Sequence, residues 1–443
     1  MASTAGSSSG TGPGSGASLA GRPPSVDALA RSIRDLGLAQ MVCVEIAREA
    51  IAAGDAASAR GRGEAFLRTL LTPVVNATGV LLHTNLGRAP VGVQHPPRPQ
   101  NVEFDLATGE RGSRQRPVGQ LLASLCGAEA AMVVNNNAAA VMLVLAALAH
   151  DRGVAVSRGE SVEIGGAFRV PDVMEQSGAL LVDVGTTNRT RLADYASAIV
   201  KGRPPIALTM KVHPSNFRIE GFVEDTSVAD LATLDVPVVA DIGSGLIDTN
   251  CPWLSGPPPA WLAGEPGARQ NVEAGAALVT FSGDKLFGGP QAGIIAGRRD
   301  LVEQCARHPL ARALRPGGLV LGALQATTSS YLDRTAARDI PFWRMVATSV
   351  ETLEGRAVAI CAGGGRARPV AMTAVPGAGS APGATMASFG ISIDGDHLAS
   401  LRAGPTPIIG RVRDGHTLLD LRAVDPDDDH LIATALAALP PTP

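Results

Sequence analysis

Lys285 stands in the stretch LVTFSGDKLFGGPQAGIIAGR (278–298). The chain has 38 lysines and arginines, and only Lys201, Lys211 and Lys285 are lysines. A guanidinium stays protonated and cannot act as a nucleophile, whereas the amine of a lysine in a glycine-rich turn can form a Schiff base with a carbonyl. Asp241, in DIGSG, closes the apolar run VPVVA and precedes Lys285 by 44 residues. An acid at a buried strand end needs a cation or hydrogen-bond donors. Three asparagines, Asn135 to Asn137, follow AAMVV and open a helical stretch. A helix N-terminus offers free N–H groups to an anion, and a helix cap alone needs one asparagine rather than three. Taken singly each feature is weak, since a lysine in a turn is ordinarily surface charge. In this order, at strand ends, they match the contacts of pyridoxal 5'-phosphate. The helix N-terminus takes the phosphate, Asp241 the pyridinium nitrogen, and Lys285 the Schiff base. Asn136, Asn137 and Ser282 join Asp241 and Lys285 as the expected cofactor-binding set. A lone histidine is ordinarily structural, but His213, just past another strand end in KVHPSN, is placed to face the cofactor and is a candidate catalytic residue. Lys211, two residues earlier, is open to a phosphate contact, a nucleic-acid contact or plain surface charge.

Elements must hold these residues in place. From about residue 73, short apolar runs alternate with helix-length segments: 130–134, 154–157, 179–185, 206–212, 236–243, 277–283 and 292–297. Glycine-bounded strands of this kind, without polar alternation, predict an α/β fold with a mostly parallel, doubly wound sheet buried on both faces. Ligands then sit at the carboxyl ends of the strands. IPFWRMVATSVETLEGRAVAI (340–360) reads as one long helix. The runs at 385–394, 407–415 and 416–424 read as strands, and 427–439 as a closing helix. The organisation is therefore a Ser/Gly-rich disordered tail (1–24), a small helical domain (25–72), a large catalytic domain (73–335) and a smaller α+β C-terminal domain (336–443). In the helical domain Ser25 is the expected N-cap. Its arginines, Arg31, Arg34, Arg48, Arg60, Arg62 and Arg68, nearly balance its acids, so charge alone favours a solvated face.

Bulk properties bound the function. At 443 residues the chain exceeds one ordinary core. A formal net charge of -3 excludes a uniformly basic nucleic-acid binder. The five cysteines are far apart and show no metal-ligand spacing, which fits free thiols in a reducing compartment. The apolar run 138–149 is too short to span a bilayer. Without a charged segment followed by an apolar core at the N-terminus, a cytoplasmic location is expected.

Longer motifs are more specific. VVNATGVLLHTNLGRAP (74–90), DLATGERGSR (105–114), VVNNNAAAV (133–141), KVHPSNFRIEGF (211–222), DIGSGLID (241–248) and TFSGDKLFGGPQAGIIAGR (280–298) resemble those of the bacterial selenocysteine synthases, the L-seryl-tRNA(Sec) selenium transferases. The likeness runs from about residue 25 to 440. It implies an aminotransferase-like (fold type I) pyridoxal phosphate enzyme with a tRNA-binding N-terminal domain, assembled as a homodecamer of five dimers. It implies a reaction in which the serine of a seryl-tRNA(Sec) loses its hydroxyl to give an aminoacrylyl-tRNA, to which selenium from selenophosphate adds. Lys285 would hold the cofactor and shuttle the Cα proton, and Arg88, Arg312 and Arg315 would line the selenophosphate site. The spacing of Arg312 and Arg315 suggests one face of a helix. Two departures stand out. The proline-rich VGVQHPPRPQ (91–100) replaces a longer helical segment, and Pro117 replaces a hydrogen-bonding residue. Two rivals remain: a related lyase acting on a free amino acid, and a non-catalytic tRNA-binding protein. The arginine set argues against the first and the retained Lys285 and Asp241 against the second.

Overall fold

The computed structural model describes residues 24–92, 97–164, 168–214, 217, 219–363 and 366–439. The tail expected to be disordered, all but residue 24, lies outside the described residues, as do residues 93–96 of the proline-rich stretch. The chain divides into two compact units, Met1–Pro73 and Val74–Pro443.

In the first unit, helices α1 (Val26–Ser32), α2 (Gln40–Ala52) and α3 (Ala59–Leu67) enclose a small core of Ala30, Ile33, Cys43, Ile46, Ala47 and Ala50. Ser25 caps α1, its hydroxyl accepting the N–H of Ala28 at 3.2 Å. Gly37, at φ 76°, turns the chain between α1 and α2, a conformation that costs glycine little. Arg31, Arg60 and Arg62 pair with Asp27, Asp35 and Glu49. Arg34, Arg48 and Arg68 are exposed and form no ion pair among the described residues.

The second unit is built on seven strands: β1 (Ala130–Val134), β2 (Gly153–Ser157), β3 (Leu180–Val184), β4 (Ile206–Val212), β5 (Val238–Gly243), β6 (Leu278–Ser282) and β7 (Gly293–Gly297). They lie in the order β1-β7-β6-β5-β4-β2-β3. Only β7 runs antiparallel to its neighbours; the other pairings are parallel. Two hydrophobic clusters cover the two faces, as the uninterrupted apolar runs require. Helix α4 (Arg116–Cys126) begins with Arg116 and Pro117. Pro117 thus falls in the first turn, where a missing N–H costs nothing.

A five-stranded sheet holds the C-terminal elements β8 (Ala367–Gly377), β9 (Met386–Asp394), β10 (Arg411–Arg413) and β11 (His416–Asp420). Its fifth strand is Val80–Leu82, parallel to β8. Strand β8 escapes sequence reading because Pro369 and Pro376 interrupt its pattern. The expected long helix 340–360 is instead two helices, Pro341–Ala347 and Val350–Cys361. Ser349 caps the second through the N–H of Thr352 at 3.2 Å. Buried Arg422 donates to the carbonyls of Met345 and Thr348 at 3.0 and 2.8 Å, which satisfies the end of the first. A helix stops readily where a cap and a buried donor both await it.

The chain has only three tryptophans and two tyrosines, and three of these five residues gather behind the Lys285 turn. Tyr331 donates to the carbonyls of Leu286 and Phe287 at 3.3 and 2.9 Å, and its hydroxyl accepts from Trp343 Nε1 at 2.5 Å. Trp253 packs edge-on against both rings, at 4.7 and 4.9 Å between centroids. Tyr331→Phe removes the hydroxyl and leaves the indole N–H of Trp343 buried without an acceptor. It is expected to lower unfolding free energy by about 1–3 kcal/mol, read from urea denaturation, and an unchanged midpoint would show that the hydroxyl does not brace the turn.

Candidate active site

Three strand ends and two connections converge. Asp241, near the end of β5, is 3% exposed. Its Oδ1 accepts from Asn137 Nδ2 at 2.8 Å and from Thr280 Oγ1 of β6 at 3.0 Å. Burial raises its pKa, and these two donors, Lys285 and the backbone N–H of Gly243 oppose that rise. Asn137 opens helix α5 (Asn137–Leu148). Asn136 is its N-cap, taking the N–H of Ala139 at 2.8 Å. The N–H groups of Asn137 and Ala138 have no acceptor among the described residues, and Asn137 Oδ1 is buried without a partner. Gly293 of β7 passes so close that a Cβ there would lie 2.1 Å from the Asn136 carbonyl oxygen. Of the asparagine cluster, then, Asn136 shapes the helix end and Asn137 holds the acid.

Lys285 follows β6 in a turn closed by Gly283 N–H to Ala292 O and Gly289 N–H to Gly283 O, both 2.8 Å. Gly288 takes φ 71° within it, and a Cβ there would meet Ile340 at 2.5 Å. The lysine is 8% exposed, and its amine makes no hydrogen bond or ion pair among the described residues. Burial lowers its pKa, with Arg88 adding to the effect and Asp241, Asp284 and Glu265 opposing it. Asp284 is instead engaged by Arg88, at 2.8 Å. Arg88 follows Gly87, both at positive φ, at the end of the segment that Val80–Leu82 anchors in the C-terminal sheet. Ser282 is 7% exposed at the end of β6 and also makes no side-chain hydrogen bond among the described residues.

His213 follows β4. Its N–H donates to Asp241 O at 2.9 Å, so the two strand ends are joined by the backbone. Its Nδ1 is buried without a hydrogen bond among the described residues, 3.8 Å from Glu265 Oε1. Burial lowers its pKa. Lys211 is not free for a ligand: Nζ donates to Glu160 at 2.7 Å and to Asp225. Glu160 is buried, and its carboxyl is pushed up to about 7 by burial, with Lys211 opposing. A cavity of about 510 Å³ runs along the ends of β2, β4 and β5, lined by His213, Asp241, Glu160 and Lys211 but not by Lys285, Asn137 or Ser282.

Arg312 and Arg315 are placed differently from the sequence expectation. The helix Pro309–Ala313 contains Arg312 but ends before Arg315, so the two do not share a helix face. Pro316 accounts for this, because the residue before a proline avoids the helical region. Both arginines are exposed, and Arg315 pairs with Glu103 at 3.2 Å. Their segment still reaches the cluster, since Leu314 O accepts the N–H of Asn135 at 2.9 Å. Asp284, Thr280, Glu103 and Glu265 were missed by sequence reasoning. Asp284 had a signal, adjacency to Lys285; the other three stand in no pattern that reveals a partner.

These residues fit pyridoxal phosphate. The site offers a buried amine with no partner, a buried acid whose charge is supported by two donors, and unfilled N–H groups at a helix start. No metal-binding cluster of three or more His, Cys, Asp or Glu occurs among the described residues.

The family model described as SelA, L-seryl-tRNA selenium transferase, matches residues 74–425. The L-seryl-tRNA(Sec) selenium transferase of Geobacter metallireducens is 45% identical over 395 aligned residues, covering 83% of each chain. That of Moorella thermoacetica is 45% identical over 396, covering 83% of this chain and 82% of its own. That of Geobacter sulfurreducens is 42% identical over 449, covering 95% of each. Among solved structures, D-glucosaminate-6-phosphate ammonia-lyase superposes with a TM-score of 0.56 at 22% identity, covering 84% of this chain and 96% of that one. At that identity the likeness establishes a shared fold.

The state of Lys285 leaves a mark on stability. Its folded pKa lies below the unfolded value, so between the two the unfolded chain binds more protons. Stability of the cofactor-free protein should therefore rise as pH climbs through the range just below the ordinary lysine value. Lys285→Met should lose that rise. Urea midpoints measured for both proteins across alkaline pH check this, and parallel curves would mean that the amine is well solvated.

Proposed function

The chain belongs to the L-seryl-tRNA selenium transferase family, and on that premise we propose that it converts L-seryl-tRNA(Sec) to L-selenocysteinyl-tRNA(Sec) with pyridoxal 5'-phosphate as cofactor. The observation that carries this reading is Lys285: a buried amine, uncommitted among Asp241, Asp284 and Glu265. Bound there, pyridoxal phosphate supplies a sink for the electron pair left when Cα loses its proton.

The chain's own groups do the rest. Lys285 holds the cofactor and, once released by the seryl amine, takes the Cα proton and later returns it. A lowered pKa suits this role, because a neutral amine is needed to accept a proton near neutral pH. Asp241, braced by Asn137 and Thr280, keeps a negative charge for the ring nitrogen. The N–H groups of Asn137 and Ala138 and the hydroxyl of Ser282 suit the phosphate. His213 stands beside Asp241 as a proton carrier. Selenophosphate is the proposed donor, held by Arg88, Arg312 and Arg315, whose charge cannot be lost. Asp284 aims Arg88, and Glu103 aims Arg315.

Residues 25–72 form the proposed tRNA-binding domain, with Arg34, Arg48 and Arg68, exposed and without an ion pair among the described residues, on the nucleic-acid backbone. Affinity for tRNA should then fall as salt rises. Residues 73–335 would be the catalytic domain and 336–443 the smaller C-terminal one. The assembly is proposed as a decamer of five dimers, working in the cytoplasm; no helix among the described residues is long and apolar enough to cross a membrane.

With seryl-tRNA(Sec), pyridoxal phosphate and selenophosphate, the wild-type protein should release selenocysteine on hydrolysis of the product tRNA, and Lys285→Ala none. Serine recovered unchanged from the wild type would sink the reading. Arg312→Gln and Arg315→Gln should each raise KM for selenophosphate about tenfold, roughly the worth of one charge-assisted contact, while binding of seryl-tRNA(Sec) stays as it was. Equal losses for both substrates would remove these arginines from the donor site.

A further inference from the structure

Glu265 is a buried carboxylate that the steps above leave unused. It is 5% exposed and sits between Gly264 and Pro266, ahead of the short helix Ala268–Glu273. Its Oε2 accepts the N–H of Ala381 at 3.1 Å. That residue lies in the turn between β8 and β9, at φ 47°, where a non-glycine residue needs holding. Among the described residues its Oε1 has no hydrogen-bond partner, and neither does Nδ1 of His213, which faces it across 3.8 Å. Leaving one buried polar atom unmade is costly, and two such atoms facing each other are not a packing accident to be expected of a purely structural carboxylate. They are a small side-chain rotation from a charge-assisted hydrogen bond. Catalytic contacts of this kind are often long until substrate arrives.

We infer that Glu265 is the positioning residue of His213: it turns the Nδ1 edge of the imidazole toward itself and keeps a proton on the ring beside Lys285. The inference rests on the assignment of this site to seryl-tRNA chemistry. Four charges face His213. Burial drives its proton off; Glu265 and Asp241 favour keeping it, while Lys211 and Lys285 oppose. Lys211 is already tied to Glu160 and Asp225. Asp241 is occupied by Asn137 and Thr280. Glu265 is thus the carboxylate with an oxygen to spare. The fraction of the ring that Glu265 keeps protonated against burial can hand one proton to the departing serine hydroxyl. The Cβ–O bond breaks with its electron pair going to oxygen, water leaves, and the Cα proton goes to Lys285. His213 then regains its proton from solvent.

The test reads His213 directly. Diethyl pyrocarbonate modifies the neutral imidazole, so the pH at which the His213 peptide is half-reactive, followed by mass spectrometry, reports its charge without turnover. In Glu265→Gln that midpoint should move to lower pH. The alkaline limb of kcat should follow it, with kcat down about tenfold or more and KM for seryl-tRNA(Sec) within about twofold. Glu265→Asp, which keeps the charge, should recover part of the rate. An unmoved His213 midpoint in Glu265→Gln overturns the inference whatever happens to the rate. Should that variant fail to fold, Glu265→Asp decides, since its shorter reach must displace the midpoint if the two groups are coupled, and an unmoved value overturns the pairing. A displaced midpoint in a protein inert toward seryl-tRNA(Sec) would uphold the pair and sink the reaction, so the two failures are distinguishable.

Discussion

An amine kept out of water and, among the described residues, out of every ion pair is the condition around which this site is arranged. Three carboxylates, Asp241, Asp284 and Glu265, lie in its electrostatic reach, and none forms an ion pair with it among the described residues. The two aspartates are committed elsewhere. Asp284 is held by Arg88, and Asp241 by Asn137 and Thr280. The remaining desolvation then favours the neutral amine, the form that can attack a carbonyl. Had the carboxylates been free, a buried ion pair would have raised the proton affinity of Lys285 and cost it its nucleophilicity.

Holding the amine there demands a rigid turn, and the turn is braced from behind. The hydroxyl of Tyr331 takes up two carbonyls of the Lys285 loop and ties them to Trp343. A chain so poor in aromatic residues places them where large, stiff side chains fix a backbone. From the other side, glycines let backbones approach closely: Gly293 against Asn136, and Gly288 against Ile340. Arg88 arrives by a third route, from a strand stitched into the C-terminal sheet, so the charge beside Lys285 depends on elements separated by nearly the whole second unit.

The apolar rhythm of the sequence was enough to place all seven strands of the main sheet, because strands covered on both faces are apolar at most positions, and even the partly exposed edge strand β3 keeps an apolar run. It failed where a local signal was masked or overridden. Prolines hid β8, and the break between Pro341–Ala347 and Val350–Cys361 is set by Ser349 and by Arg422, a residue far along the chain. It failed again at Arg315, where the following proline ends the helix that the spacing suggested.

By itself the sequence determined the chemistry: a lone lysine in a glycine-rich turn, an acid at a strand end and asparagines at a helix start name a cofactor because few other functions need those types in that order. It also determined the family, through motifs too long to recur by chance. Only the tertiary structure decided which groups are spoken for. That Lys211 is spent on Glu160 and Asp225, that Asn137 rather than Asn136 serves Asp241, and that Glu265 faces His213 with an oxygen unused are facts of contact between residues 51, 14, 104 and 52 positions apart. No local pattern encodes such pairings, since each depends on how strands far apart in the chain are set side by side and on which polar atoms burial then leaves without water.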